Sequence, residues 1–517
     1  MPEYLHPGVY IEEIERGPKP IEGVPTSTAA FLGEAERGPT MPRMVTSYKD
    51  YQRWFGGVTS TEKYLPYTVN GFFENGGKRL FVCRITDDTA TPAQVALPAN
   101  FLVKAVGSGA WGKRVYAYVS DSSTKRPGPG GTLVPIGFRL QLAYYATTPT
   151  QDPTEWFKDP TKPPFPSYAE NFDDLVGNRV SPDFYEKRLL DSSALATLIA
   201  TGAPAGSIPQ KTANALPLSA NGAEGGVPDS ADYVGEVLLP ARPEPQGLAA
   251  LKLDPYRDVS LVYAPGVDFG IAKELITHCE NLKYRFAVVD CQKTMNPTAF
   301  EPRNAVADSK YAAFYYPWIY ISDPQSGART LVPPGGHTLG VYARTDTERG
   351  VFKAPANEIL RGALQLSAET DDSTQDQMNP RGINAIRQFP GRGIRVWGAR
   401  TLSSDALWKY VSVRRLFIFL ERSIYEGTQW VVFEPNDDKL WARVIDTIRL
   451  FLRTQWRLGA LFGRTEEEAF FITCDRTTMT QDDILNGRLI CEIGIAPVRP
   501  AEFVVFRIFQ NTAEPQR

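Results

Sequence analysis

The chain begins with a short strand-forming stretch that has no partner nearby in the sequence. In "HPGVYIEEI", a Pro-Gly pair precedes four β-forming residues, which are Val9, Tyr10, Ile11 and Ile14. The next segment, "RGPKPIEGVP", carries three prolines, which favour extended backbone and supply no amide hydrogen. A strand on such a tether has to pair with a distant strand or with another chain.

The overall composition indicates a soluble protein with room for two to four domains. The chain has 517 residues and a net charge of -3, which argues against a globally basic nucleic-acid binder. No apolar run approaches the roughly 18 residues of a membrane span. The N-terminus also lacks the basic head and apolar run of a signal peptide. We therefore expect a cytoplasmic protein with no nucleic-acid partner and no direct membrane insertion.

Five cysteines are scattered along the chain without a CxxC pair. Their odd number and wide spacing predict reduced, mostly buried thiols. They are Cys83, Cys279, Cys291, Cys474 and Cys491.

Alternating strand-like and helix-like segments predict an α/β fold. In 24–90, "STAAFLGEAERGP" and "RLFVCRITD" read as strands, and "SYKDYQRWFGG" and "YLPYTVNGFFENGG" as helices closed by glycines. From 252, "DVSLVYAPG", "IAKELITHCENLK" and "YRFAVVDC" give a strand, a helix and a strand, and "KYAAFYYPWIYISDP" supplies another strand. This order is typical of a parallel, doubly wound sheet.

Residues 91–250 have a different character. "RVYAYVSD" and "PIGFRLQLAYYA" are strand-like, and the segments around them are rich in Pro, Gly, Ala and Ser. We interpret 91–250 as an inserted, β-rich outer domain, in which loop deletions within 202–228 should be tolerated.

The last 115 residues read as a further α/β unit that finishes on "AEFVVFRIFQ". Apolar residues occupy both faces of this predicted strand, so it should be covered on both sides. They include Phe503, Val504, Val505, Phe506 and Ile508.

The sequence offers no convincing catalytic or metal site. The chain has three histidines, His6, His278 and His337, and lacks a G-x-S-x-G elbow, an HExxH motif and paired cysteines. The acids of "DDSTQD" at 371–376 are interpreted as a solvated loop. We expect no catalytic residues, no bound metal and no cofactor.

A cationic helix face is the one stretch with directed charge. The segment 435–463 opens with Pro435, a predicted Asn436 cap and two acids, and its apolar residues fall within roughly 160° of arc. Five cations collect on the opposite side, which indicates either a solvated face or a contact with an acidic partner. They are Lys439, Arg443, Arg449, Arg453 and Arg457.

Several long motifs resemble the tail sheath proteins of contractile phages and related contractile injection systems. They occur in family order and cover about two-thirds of the chain. They include "YLHPGVYIEEI", "STAAFLGEAERGP", "PPGGHTLGVYARTDTERGVFKAPAN", "VWGARTLSSD", "WKYVSVRRL", "FEPNDDKLW" and "CDRTTMTQDDILNGRLICEIGIAPVRPAEFVVFRI".

The resemblance implies a division into four parts. Residues 1–23 would be an N-terminal arm and linker, and 24–90 plus 251–395 a subtilisin-like α/β domain without a catalytic triad. Residues 91–250 would be the variable outer domain, and 396–517 an inner, tube-facing domain that carries the inter-subunit sheet.

The resemblance also implies arms that add strands to a sheet in neighbouring subunits. The matching residues are Val9, Tyr10, Ile11 and Ile14 in one arm, and Phe503, Val504, Val505, Phe506 and Ile508 in the other.

The implied function is a structural subunit of a contractile sheath that polymerises helically around an inner tube and drives it through a target envelope. The implied partners are other copies of the chain, the inner tube protein, and baseplate and terminator or cap proteins. The cationic face of the helix would contact the tube.

Two alternatives stay open: a non-contracting tail or baseplate protein, and a subtilisin-like hydrolase. The sequence does not separate a phage tail from an injection particle.

Overall fold

The computed structural model describes residues 20–190, 192–236 and 246–507. The chain divides into two compact units. The larger unit spans 25–415, and the smaller unit combines the described residues of 1–24 with those of 416–517. No helix in the described ranges combines the length and the apolar character that crossing a lipid bilayer requires.

A nine-stranded sheet forms the centre of the larger unit. Six neighbouring strands are parallel, and antiparallel strands extend the sheet at both ends. Most of the parallel strands are buried along their whole length, as expected for a sheet covered on both faces. In sheet order, the strands are Glu358–Ile359, Gly393–Val396, Ile383–Phe389, Ala312–Tyr316, Phe286–Asp290, Leu261–Tyr263, Ala29–Gly33, Leu80–Arg84 and Arg43–Val45.

Three principal helices of this unit lie where the sequence predicted them, whereas a fourth, Gly335–Arg349, was not predicted. Ser47 caps the first, because its hydroxyl accepts the backbone N–H of Asp50 at 3.1 Å, and Gly56 ends it with φ 82°. These helices are Tyr48–Phe55, Leu65–Glu74, Phe269–Leu282 and Gly335–Arg349. Shorter helices are Thr154–Lys158, Tyr185–Leu190, Ser230–Val234, Gly247–Leu251, Pro302–Ala305 and Asp372–Met378.

A buried carboxylate joins the central sheet to the helix Gly335–Arg349. Asp290 ends a parallel strand and accepts hydrogen bonds from the Tyr263 hydroxyl at 2.6 Å and the Gly335 backbone N–H at 2.8 Å. The carboxylate thus satisfies a helix N–H that has no partner within the helix. Burial raises the pKa of Asp290 to about 7.

Two four-stranded sheets form the β-rich region within 91–250. One consists of Tyr168–Leu175, Phe138–Tyr144, Val115–Asp121 and Leu216–Pro217, and the other of Ala196–Ala200, Phe101–Ala105, Ala93–Leu97 and Ala220–Asn221. One apolar core joins residues of both sheets. Lys125–Pro127 pairs separately with Leu133–Pro135.

Polar contacts attach this region to the rest of the larger unit. The buried Arg84 guanidinium donates to the backbone oxygens of Gly38 at 3.1 Å and Ser108 at 2.7 Å. The Tyr144 hydroxyl donates to the Glu36 carboxylate. The region is therefore bonded to the central α/β part through several buried groups.

Two sequence expectations for the larger unit need correction. "KYAAFYYPWIYISDP" forms two strands, because Pro317 has no N–H to continue the ladder. The second, Ile319–Ser322, pairs in a separate three-stranded sheet with Arg329–Val332 and Ala363–Leu366. The stretch 202–228 is not a free loop, since it contributes a short strand to each four-stranded sheet and buries Leu218.

Among its described residues, the smaller unit contains the helix Asp438–Arg457, most of the helix Val411–Gly427 and a two-stranded sheet. The unit boundary falls within the helix Val411–Gly427. The other helices are Asp438–Arg457, Glu466–Ala469 and Gln481–Leu485, and the strands are Phe470–Thr473 and Glu492–Ile495.

Candidate functional site

The C-terminal sheet consists of two antiparallel strands, with Phe470 opposite Ile495 and Thr473 opposite Glu492. Among the described residues, each of these strands has the other as its only sheet partner. One edge of each strand is therefore open to a further strand. Phe471 is 58% exposed, and its ring lies against Gly494 on the paired strand. Sequence reasoning missed these strands, although the alternation in "EIGI" could have revealed the second.

The last residues that the structure describes, 501–507, have no regular structure. Residues 501–507 form no strand, so the strand predicted there is wrong for the single chain. Phe503, Val504, Val505 and Phe506 are 68% to 85% exposed. An extended apolar segment cannot form a sheet without a partner strand, and none is supplied by the described residues. Ile508 lies outside the described residues.

The N-terminal end of the described chain belongs to the same unit as the C-terminal segment. The Val24 backbone N–H donates to the Ser423 hydroxyl at 3.1 Å. A Cβ added to Gly23 would lie 2.9 Å from the Phe419 ring, so only glycine fits this approach to the helix. The first and last described segments of the chain thus belong to one unit. The predicted arm residues Val9, Tyr10, Ile11 and Ile14 lie outside the described residues.

The helix Asp438–Arg457 buries one face and exposes the other, as its sequence predicted. Its cap is Asp437, whose carboxylate accepts the Leu440 N–H at 2.8 Å, so the prediction of Asn436 is wrong by one position. The Asn436 side-chain oxygen accepts instead from the Trp441 indole at 2.8 Å. The buried residues of the helix are Leu440, Trp441, Val444, Thr447, Ile448, Phe451 and Leu452.

Acidic side chains of the same unit neutralise part of the cationic face. Arg453 donates to the Glu466 carboxylate at 2.6 and 3.2 Å, and Arg449 lies 3.6 Å from the same group. The hydrogen bond from Arg453 lowers the pKa of Glu466. Arg443 lies 3.4 Å from Glu434.

Two of the five cations remain available. Lys439 and Arg457 are exposed, and neither forms an ion pair with any residue in the described ranges. The structure therefore divides the predicted stripe into three paired and two unpaired cations.

The histidines within the described ranges are packing residues. His337 is buried in the helix Gly335–Arg349, and burial lowers its pKa to about 4. A Cβ at Gly71 would lie 2.2 Å from its ring, so the imidazole fills the contact between two helices. His278 lies 2.7 Å from Arg285, and burial lowers its pKa to about 3. His6 is outside the described residues.

The acids of "DDSTQD" begin a helix, which corrects the expectation of a loop. Asp371 caps the helix Asp372–Met378 by accepting the Thr374 N–H at 2.7 Å. Across the described ranges, no group of three or more acidic, histidine or cysteine side chains is arranged to hold a metal ion.

Comparison with known proteins gives consistent similarities across the chain. The phage tail sheath protein central domain matches residues 238–402, and the phage tail sheath C-terminal domain matches residues 403–511. A putative prophage major tail sheath protein of Pseudomonas aeruginosa (strain UCBPP-PA14) is 24% identical over 61% of this chain and 77% of its own length. The tail sheath protein of Burkholderia phage BcepMu is 30% identical over 37% of this chain and 41% of its own length.

Solved structures show the same fold over nearly the whole chain. The sheath complex of the extracellular contractile injection system PVC, in its contracted state, has 24% identity, a TM-score of 0.58 and 99% coverage of both chains. The contracted helical sheath of the anti-feeding prophage has 24% identity and a TM-score of 0.58, covering 98% of this chain and 99% of its own.

Proposed function

This chain belongs to the contractile tail sheath family, and we propose that it polymerises helically around an inner tube and contracts to drive that tube through a target envelope. It is a structural subunit that needs no catalytic group or cofactor. The exposed C-terminal segment carries this proposal, because it lies in the same unit as a two-stranded sheet with open edges. The unit thus contains both a strand to donate and a sheet to receive one.

Strand addition between neighbouring subunits supplies the polymer contacts. The C-terminal arm, residues 503–508, and the N-terminal arm, residues 9–14, each add to an open edge of the two-stranded sheet in another copy. Each backbone hydrogen bond contributes about 0.5–1.5 kcal/mol net, and the lattice repeats the contact at every subunit. The tether that precedes residue 21 lets neighbouring subunits move while the added strands stay paired, because residues 21–24 are already packed against the helix Val411–Gly427.

The cationic face of the helix Asp438–Arg457 contacts the inner tube. Lys439 and Arg457 carry most of this contact, because the three arginines between them already have acidic partners. An acidic tube surface fits the two unpaired charges.

The larger unit supplies the rigid body of each subunit. Residues 24–90 with 251–395 form a subtilisin-like domain, a view that the six parallel strands support. The β-rich region 91–250 faces outward and moves with this domain, because buried groups such as Arg84 bond the two. Baseplate and cap proteins bind the ends of the polymer, and the assembled particle is soluble.

Deletion of residues 1–14 tests the strand-addition mechanism. We expect a folded, monomeric protein with normal melting behaviour that fails to form tubes by size-exclusion chromatography and electron microscopy. A matched variant with a few flexible residues inserted at 16–20 should still assemble, because loop closure costs grow slowly with length, but should contract poorly. Normal polymerisation of the deletion variant would refute the mechanism.

A further inference from the structure

Two cysteines lie opposite each other at one end of the C-terminal two-stranded sheet. Thr473 is paired with Glu492 at this end of the sheet, and Cys474 and Cys491 are the next residues along the chain, one position beyond each strand. Directly opposed residues of antiparallel strands have Cα atoms about 4.5–5.5 Å apart, within the roughly 4.4–6.8 Å that a disulfide requires. The two thiols are also within hydrogen-bonding reach of each other.

The surroundings of the two thiols differ in accessibility. Cys491 is half-buried, whereas Cys474 is buried, as are the remaining cysteines, Cys83, Cys279 and Cys291. A small reagent in solution therefore reaches Cys491 first. Among the five cysteines, this is the one pair that combines facing positions on neighbouring strands with an accessible member.

We propose that Cys474 and Cys491 form a cross-strand disulfide by exchange with an oxidised low-molecular-weight disulfide of the glutathione class. The Cys491 thiolate attacks one sulfur of the small disulfide, which releases one thiol and leaves a mixed disulfide. The Cys474 thiolate then attacks the Cys491 sulfur, forms the protein S–S bond and releases the second thiol. Two protein thiols are oxidised, one small disulfide is reduced, and the two protons pass to the released thiolates.

The environment makes both thiols slow to react at neutral pH. Burial raises the pKa of both thiols, that of Cys491 to about 12. The Asp475 carboxylate also raises the pKa of Cys474, and the Cys474 thiol also raises the pKa of Cys491. Because only the thiolate attacks a disulfide, exchange is slow at neutral pH in a reducing cytosol. The bond forms once the protein meets an oxidising medium.

The disulfide closes the segment 475–490, which includes the helix Gln481–Leu485. A cross-link of this kind stabilises the folded state mainly by restricting the unfolded chain. It fixes the register of the two strands at the end where the loop leaves the sheet. Its formation depends only on the geometry of this sheet and is independent of the proposed contractile function.

Peptide mapping of the full-length protein tests the proposal. Reduced protein is incubated natively with oxidised glutathione at mildly alkaline pH, alkylated with iodoacetamide under denaturing conditions, and digested without reductant. We expect one linked peptide pair that lacks two hydrogen atoms and joins Cys474 to Cys491, with the other three cysteines alkylated. Alkylation of both Cys474 and Cys491, or a link from either to another cysteine, would overturn the proposal.

Single substitution separates the two steps of the exchange. In C474S, Cys491 should retain glutathione as a mixed disulfide, because the resolving thiol is missing. Oxidation should raise the Tm of the C-terminal unit in the unmodified protein and leave that of C474S unchanged. A stable mixed disulfide at Cys491 in the unmodified protein, or the absence of any adduct in C474S, would contradict the proposed order of attack.

Discussion

Arg415 and Asp346 form a two-point ion pair that is almost entirely buried. Their nitrogen and oxygen atoms lie 2.9 and 2.5 Å apart, and the side chains are 3% and 4% exposed. Thr26 completes the group, since its hydroxyl donates to Asp346 at 2.7 Å and its backbone oxygen accepts from Arg415 at 2.9 Å. The cluster joins the first and last residues of the larger unit to the helix Gly335–Arg349.

The substitution D346N should destabilise the larger unit by about 3–5 kcal/mol, because it leaves the Arg415 charge buried without a counter-ion. Urea unfolding followed by circular dichroism measures this loss. The matched control is D372N. It removes the carboxylate that pairs with Arg387, and this carboxylate is 91% exposed. That change should cost about 0–1 kcal/mol, and equal effects of the two variants would contradict the importance of burial.

The substitution V505D should abolish tube formation while leaving the melting temperature unchanged. Val505 is 77% exposed and contributes little to the core of its own chain, whereas a charge on an added strand would be buried in the polymer. Sedimentation and electron microscopy measure assembly. V227D is the control, because Val227 is similarly exposed in the β-rich region, and it should assemble normally. Tubes of normal length from V505D would show that the C-terminal arm does not add as a strand in the polymer.

Charge reversal of the unpaired cations should weaken attachment to the inner tube. In K439E/R457E the fold should be retained, and co-sedimentation with the tube should fall most at low salt, where exposed charges are least screened. In R449E/R453E the new acids face Glu466, so the C-terminal unit itself should lose stability.

The control for this experiment is K125E/R126E. It makes the same charge change on exposed residues of the β-rich region, which form no ion pair within the described ranges. Tube binding should be unaffected by it. Equal binding by K439E/R457E and this control at every salt concentration would show that the helix face is merely solvated.

The D290N variant should become more stable relative to the unmodified protein as the pH rises from about 4 to about 7. The folded-state pKa of Asp290, about 7, exceeds its ordinary value of 3.8. The native state therefore binds more protons than the unfolded state between these values, and its stability falls as the pH rises. At about 1.4 kcal/mol per pKa unit, the change approaches about 4 kcal/mol at most.

Thermal melts of both proteins across this pH range measure the difference. The comparison between variants is essential, because the lowered pKa values of His278 and His337 increase the stability of the folded protein as the pH rises, which opposes the effect of Asp290. Those histidines are present in both proteins, so their contributions cancel. A difference in stability that stays constant with pH would show that Asp290 titrates normally.

Local sequence patterns were sufficient for five of the six parallel strands of the central sheet, but Ile383–Phe389 and the antiparallel edge strands were not predicted. Ala29–Gly33 is apolar throughout and Leu80–Arg84 is apolar up to its last residue, because parallel strands are covered on both faces, and such runs are visible in any sequence. The helix Asp438–Arg457 was also predictable, since its period fixes which side is buried.

Relationships between distant residues were not predictable in this way. The helical pattern places Arg453 on an exposed face but does not show that Glu466, from the following segment, neutralises it. Similarly, nothing near Asp346 in the sequence indicates Arg415 as its partner. The two strands of the C-terminal sheet were missed because each is only four residues long.

The two open edges of the C-terminal sheet differ in sequence, since one belongs to Phe470–Thr473 and the other to Glu492–Ile495. A polymer built by adding a different arm to each edge has a polarity, like a filament with a plus end and a minus end. One terminus then presents vacant acceptor edges, and the other presents unpaired arms. The two ends of such a polymer therefore expose different surfaces, and a protein that fits one end does not fit the other.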